Sequence, residues 1–199
     1  MGGANWTRTI AHWRGHYFAV LDRVEARQDD EFSLVCRWRT PHTAALHGGV
    51  WTATAASGNR LRIQNTEPLV QTSELWENDG SGPPCVLQQY KQVKLAKGQS
   101  DTVQNLLYAS GARRADAFEA RRLNANAMLV RGQTVAGRHL ALLGVAGQLP
   151  VPGIETDAAI YVAHGNDLYL AGATVLKAKV TGTAKELFWS QQPVNLSLD

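Results

Sequence analysis

Cysteine is scarce in this chain: Cys36 and Cys85 are the only two in 199 residues. Neither belongs to a CxxC pair, which excludes a cysteine-only zinc knuckle. Cys36 falls on the apolar parity of its segment, as a buried thiol would. A bridge to Cys85 needs facing strands and an oxidising compartment, and two free thiols is the favoured reading. A dominant charge is missing as well. The 20 Lys and Arg against 17 Asp and Glu leave +3, and Arg113-Arg114 and Arg121-Arg122 are the only basic doublets. That is too dilute for a nucleic-acid stripe, so no nucleic-acid partner is expected. No run of about eighteen apolar residues occurs, which excludes a membrane-spanning helix and gives no membrane partner. Residues 1–5 lack the basic and apolar regions of a secretory signal. They read as an expression start or disordered leader in front of a domain excised from a larger protein.

Recognisable catalytic signatures are also missing. There is no GxSxG, no Walker A loop, no GxGxxG after a strand and no HExxH. Nothing in the chain makes a self-contained active site, and no cofactor is expected. No segment holds a 3.6-residue period, and no internal repeat or low-complexity tract is present.

What the chain does have is period-two alternation. The stretch from His16 to Thr40 carries two alternating runs. Phe18, Val20, Asp22 and Val24 share one parity of the first; Phe32, Leu34, Cys36 and Trp38 share one parity of the second. The polar stretch from Glu25 to Glu31 lies where an antiparallel pair would reverse, so the whole reads as a hairpin. Trp6 to Trp13 is an opening strand. Thr40 to Gly49 reads as a loop by its Pro and Gly content. Val50–Ala55 and Arg60–Asn65 form a second hairpin about the turn Ser57–Asn59. Thr66 to Pro84 is the longest expected loop. Val86–Leu95 returns to strand, and Ser100–Ser110 is apolar enough to be central. Phe118–Leu123 is too short for a firm helix and is read as a strand. Asp157–Ala163 and Asp167–Ala173 make a further hairpin. The expectation is one all-β domain over residues 1–199: a two-layer antiparallel β-sandwich of about 12–14 strands, with little or no helix.

Six histidines are present, and only His12/His16 and His42/His47 lie close in sequence. Four positions along a strand span about 13 Å, so His12 and His16 share a metal only if the chain bends at Gly15. A metal site built from one His of each pair, His12 or His16 with His42 or His47, plus Asp22 is conceivable, against surface and loop histidines as the favoured reading. Asp22 sits on an apolar parity, where a carboxylate is costly unless paired. Pairing with an Arg of a neighbouring strand, or capping of backbone donors, is the favoured reading over a ligand or orienting role. Arg37 and Arg39 project from one face of their strand with Trp38 on the other. Two planar forks so placed suit carboxylates and sulfates, as they would suit an ordinary charged face. Trp13, Trp51 and Trp76 lie in or beside expected loops and edges, where a flat ring could stack on a sugar. Trp38 and Trp189 read as core.

The phrases Gly15–Ala26, Glu31–Thr40 and Arg62–Asn65 resemble the C-terminal β-sandwich of the heparinase II/III-like polysaccharide lyases. Val103–Ser110, Ala127–Gly132, Leu142–Val145 and Asp167–Thr174 continue the resemblance in order, over nearly the whole chain. In that family the sandwich packs against an N-terminal α/α toroid, and a uronate-containing polysaccharide binds between them. The resemblance implies β-elimination by the parent: the carboxylate is neutralised, the C5 proton removed and the 4-O oxygen expelled, with Tyr and His carrying protons. It implies that a histidine near the opening strands can complete the site, which makes His16 and His42 the catalytic candidates beside His12. A structural metal found in some relatives is put in doubt by Arg37 and Arg39, which stand where a ligand histidine would be sought.

The expected function is therefore the sandwich portion of such a lyase, inactive without the toroid. Its partners would be an acidic polysaccharide or oligosaccharide and the toroid of a periplasmic or secreted parent. Arg37, Arg39, Trp13, Trp51 and Trp76 are the expected substrate-binding residues. The alternatives are a stand-alone carbohydrate-binding module and a structural or oligomerisation domain.

Overall fold

The computed structural model describes residues 3–75, 85–111, 117–134, 137–144, 154–164, 167–180 and 183–198. These residues form sixteen strands and no helix, and so contain no helix long and apolar enough to cross a membrane. The all-β class expected from the alternation is what forms. A six-stranded sheet runs in the order β1 (Ala4–Trp13), β2 (Tyr17–Ala26), β9 (Ser100–Ser110), β6 (Arg60–Asn65), β5 (Val50–Thr54), β4 (Thr43–His47). A small sheet holds β3 (Asp30–Thr40), β8 (Cys85–Leu95) and β7 (Val70–Leu75). The largest runs β10 (Ala117–Asn124), β11 (Ala127–Thr134), β12 (Gly137–Gly144), β14 (Ile160–His164), β15 (Asp167–Val180), β13 (Ile154–Thr156), with β16 (Thr183–Leu198) also pairing β15. Each pairing is antiparallel.

The six-stranded sheet is buried from both sides, which adds a third, smaller layer to the expected two. On one face Tyr17, Ala19, Leu21 and Leu106 pack against Phe118, Met128, Val130 and Leu143 of the largest sheet. On the other, Val20, Trp51, Ile63 and Leu107 meet Cys85 and Leu87 of the small sheet, and Val103 meets Leu34 and Cys36. A strand covered on both faces needs apolar side chains on both parities. That explains why Tyr17, Ala19, Val20 and Leu21 are all buried. The largest sheet buries its far side as well, with Leu129, Leu142, Tyr161 and Leu170 packed under Phe188 and Leu196 of β16.

Three expectations change. The stretch from His16 to Thr40 is two strands but not a hairpin: β2 pairs β1 and β9, while β3 pairs β8 in a different sheet. The backbone groups at the expected turn are satisfied elsewhere. Arg27 N–H donates to Gly3 O at 2.9 Å, Ala26 N–H to Gln99 O at 2.9 Å, and Ala26 O accepts from Gly98 N–H at 2.8 Å. Alternation specifies which face each residue takes and is silent on which strand lies beside it. Second, the expected loop after Thr40 contains β4. It closes onto β5 through Gly48 and Gly49, with φ of 54° and 77°, the positive pair that a two-residue hairpin turn demands. Third, the expected loop after Thr66 contains β7, while residues 76–84 lie outside those described. Trp189, read as core, is 61% exposed. The strand readings over 50–55, 60–65, 86–95, 100–110 and 118–123 agree with the structure.

Candidate functional site

Three histidines, two tyrosines and a tryptophan meet where the β1–β2 turn lies against the largest sheet. Trp13 ends β1 and Tyr17 begins β2, and the two are cross-strand partners. Gly15 takes φ of 81° in the turn between them, and His16 N–H donates back to Trp13 O at 2.9 Å. From the other side come His139 of β12 and His164 of β14, partners in one register. Partners directly opposite on a sheet place their side chains within contact distance. Gly132 pairs with His139; a Cβ there would lie 2.3 Å from the Phe118 ring, so the bare position seats Phe118 edge-on to His139.

A chain of hydrogen bonds runs through the cluster. Tyr17 Oη lies 2.7 Å from His139 Nε2, His139 Nδ1 lies 3.4 Å from His164 Nδ1, and His164 Nε2 lies 3.5 Å from Thr134 Oγ1. The Thr134 hydroxyl also lies 3.3 Å from Gly137 O. Which ring nitrogen donates at each link is set by the imidazole tautomers. Trp13 caps the chain, its ring 4.8 Å from His139 and 5.1 Å from His164, and Tyr169 stands edge-on to it.

The ends of the chain differ in access. Tyr17 and His139 are 3% exposed, while His164, His16 and Trp13 are half-buried. Burial raises the Tyr17 phenol pKa well above its ordinary value. Burial first, then the nearby His164 and His16, lower that of His139 to about 4. The pair inside is therefore a neutral phenol and a neutral imidazole at pH 7, connected to the surface through His164.

Of the residues picked from sequence, His16 and Trp13 belong to this cluster. The others lie elsewhere. Asp22 faces the small sheet and is 5% exposed. The Arg8 fork holds it at 2.6 and 2.8 Å, Trp6 Nε1–H donates to it at 3.2 Å, and the Cys36 thiol at 3.8 Å. This is the pairing expected of a carboxylate on an apolar face. His12 stacks on Phe18 at 4.2 Å, one position from Trp13 and so on the opposite face of β1. Among the described residues no three His, Cys, Asp or Glu side chains gather as a metal site, so His12, His16 and Asp22 are not brought together as ligands.

Arg37 and Arg39 are exposed on the small sheet's outer face, since Cys36 on the opposite parity packs inward. Arg37 Nε–H donates to Gln88 at 2.9 Å. His42 lines a separate hollow of about 580 Å³ with Thr43, Thr52 and Thr54. Trp51 is a core residue, 0% exposed, with Nε1–H donating to Ser73 at 2.9 Å. Its ring has no open face to offer a sugar, which corrects its place among the binding candidates. Trp76 lies outside the described residues. Cys36 and Cys85 are buried and form no disulfide.

Sequence reasoning missed Tyr17, His139 and His164. His139 and His164 are 25 positions apart, and only the pairing of β12 with β14 joins them. The signal was a histidine in each of two alternating segments, with the register unknown. Comparison of the chain with protein-family models, curated proteins and solved structures gives no match.

Proposed function

We propose that this chain is the β-sandwich portion of a heparinase II/III-like polysaccharide lyase, forming one wall of a uronate-polysaccharide cleft. On this reading the wall is the mouth of the histidine cluster: Trp13, His16 and His164. The observation that carries the proposal is the hydrogen-bonded chain from buried Tyr17 through His139 to half-buried His164. β-Elimination needs a proton taken from carbon and another delivered to the leaving oxygen, and tyrosine and histidine suit both tasks. Trp13 offers a flat ring beside the imidazoles, suited to the C–H face of a pyranose.

The roles divide by exposure. His164 and His16 are placed to touch a bound sugar; Tyr17 and His139 hold His164 in one tautomer and orientation. Arg37 and Arg39 belong to a different face and are not part of this wall. The toroid of the parent would supply the opposite wall and the remaining proton carriers, so the sandwich by itself binds without cleaving.

The test is binding of a uronate polysaccharide to the isolated chain by calorimetry, with ultraviolet absorbance of an unsaturated product followed in parallel. Saturable binding without product is expected, weakened about tenfold or more by His164→Ala. Absence of binding, or cleavage by the chain alone, would overturn the proposal.

A further inference from the structure

A second concave site lies away from the histidine cluster, between the β4–β5 turn and the segment that joins β6 to β7. It is an open hollow of about 600 Å³, comparable in volume to small-ligand pockets. Leu46, Val50 and Leu69 supply its apolar lining, and Gly48 and Gly49 form its rim. Its polar lining is mostly amide.

Accounting for those amides shows what is left for a ligand. Asn65 is committed: its Oδ1 accepts from Glu67 N–H at 2.9 Å and its Nδ2 donates to Asn105 at 3.2 Å. Thr66 donates to Gln104 at 3.1 Å. Gln71 Oε1 accepts from Gln89 at 3.2 Å, while its Nε2 reaches the rim, 3.9 Å from where a Cβ on Gly49 would stand. Neither that nitrogen nor any side-chain atom of Gln64 has a hydrogen-bond partner among the described residues. The site thus holds an amide oxygen and amide N–H donors without partners, beside half-buried aliphatic side chains, of which Leu46 and Leu69 also pack against the core.

Charge decides the ligand class further. The one carboxylate in the lining, Glu67, accepts from Lys91 Nζ at 2.9 Å and from Arg122 Nη1 at 2.5 Å. Both cations also reach Asp101. Two anions and two cations balance, and no lining residue brings a spare charge. An anionic sugar would enter without a counter-ion, at a desolvation cost. A neutral pyranose fits: hydroxyls both donate to and accept from amides, and the C–H face lies on aliphatic side chains.

We propose that this hollow binds a neutral sugar unit through the amides of Gln64 and Gln71 and the aliphatic side chains of Leu46, Val50 and Leu69. The assignment does not rest on the uronate reading, which concerns a different surface.

The test is a titration of the ¹⁵N-labelled chain with cellotriose as the neutral probe and trigalacturonate as the charged one. Cellotriose should shift the side-chain amides of Gln64 and Gln71 and the backbone amides of Gly48 and Gly49; trigalacturonate should leave them in place. Gln64→Ala should weaken cellotriose binding about three- to tenfold, the worth of a hydrogen bond or two. Gln64→Trp fills the hollow and should abolish it; Gln64→Ala carries the test if the larger variant fails to fold. No shift with cellotriose, shifts that persist unchanged in both variants, or tighter binding of trigalacturonate at these amides would each overturn the assignment. Shifts by trigalacturonate at Trp13 and His164 bear on the uronate wall alone, so the two readings fail separately.

Discussion

The Tyr17 phenol and the His139 imidazole meet between the two larger sheets, Oη 2.7 Å from Nε2, both 3% exposed. Each is the other's hydrogen-bond partner in a nearly buried site. Tyr17→Phe leaves His139 Nε2 buried without its hydrogen-bond partner. The expected cost is about 1–3 kcal/mol in urea unfolding. Tyr17→Phe with His139→Phe should cost less than the sum of the single changes, and a double-mutant cycle reads that coupling.

Acid acts through the same pair. The folded chain lowers His139 to about 4 from an ordinary 6.5. Between those values the unfolded chain binds the proton and the folded chain does not. Stability from this group is complete above 6.5 and is lost as pH falls toward 4. The gap corresponds to about 3 kcal/mol. Urea midpoints at pH 7 and pH 5 should fall with acid, and His139→Gln should flatten that dependence.

At the far end of the same interface, Glu67, Lys91, Asp101 and Arg122 tie all three sheets together. Burial by itself would raise the Asp101 carboxyl, and hydrogen bonds from Arg122 and Lys91 outweigh it, holding it below its ordinary value. A depressed carboxylate contributes stability above its unfolded pKa and loses it in acid. Arg122→Met should cost about 2–3 kcal/mol at pH 7 and move the acid-unfolding midpoint to higher pH.

Asp22 governs the neighbouring thiol. Burial, and next the Asp22 charge, push the Cys36 thiol up to about 12, so it should resist thiol reagents at neutral pH. Asp22→Asn removes the charge and loosens the Arg8 fork. Faster labelling of Cys36 is expected, with a stability loss of about 2 kcal/mol.

Sequence made the strands legible because side-chain parity is a local property. Phe118–Leu123 was readable as a strand despite its helix formers, and Asp22 as a paired carboxylate. What stayed hidden was pairing. The turn from Glu25 to Glu31 looked like a reversal, yet Arg27 bonds to Gly3 and the chain changes sheets. The site was half-legible for the same reason. Trp13 and His16 lie in one short turn, whereas Tyr17 needed His139, and His139 needed His164, from strands whose register no local pattern reveals. Trp51 misled because a core strand and an exposed edge share one alternation.

The most direct measurement of the central claim is a chemical-shift map of the labelled chain with a uronate oligosaccharide. The proposed wall requires the largest shifts at the Trp13 indole and the His16 and His164 rings, with those at Trp13 and His16 reduced by His164→Ala at a temperature where that variant stays folded. Shifts confined to the Arg37 and Arg39 face, or none at all, would contradict it.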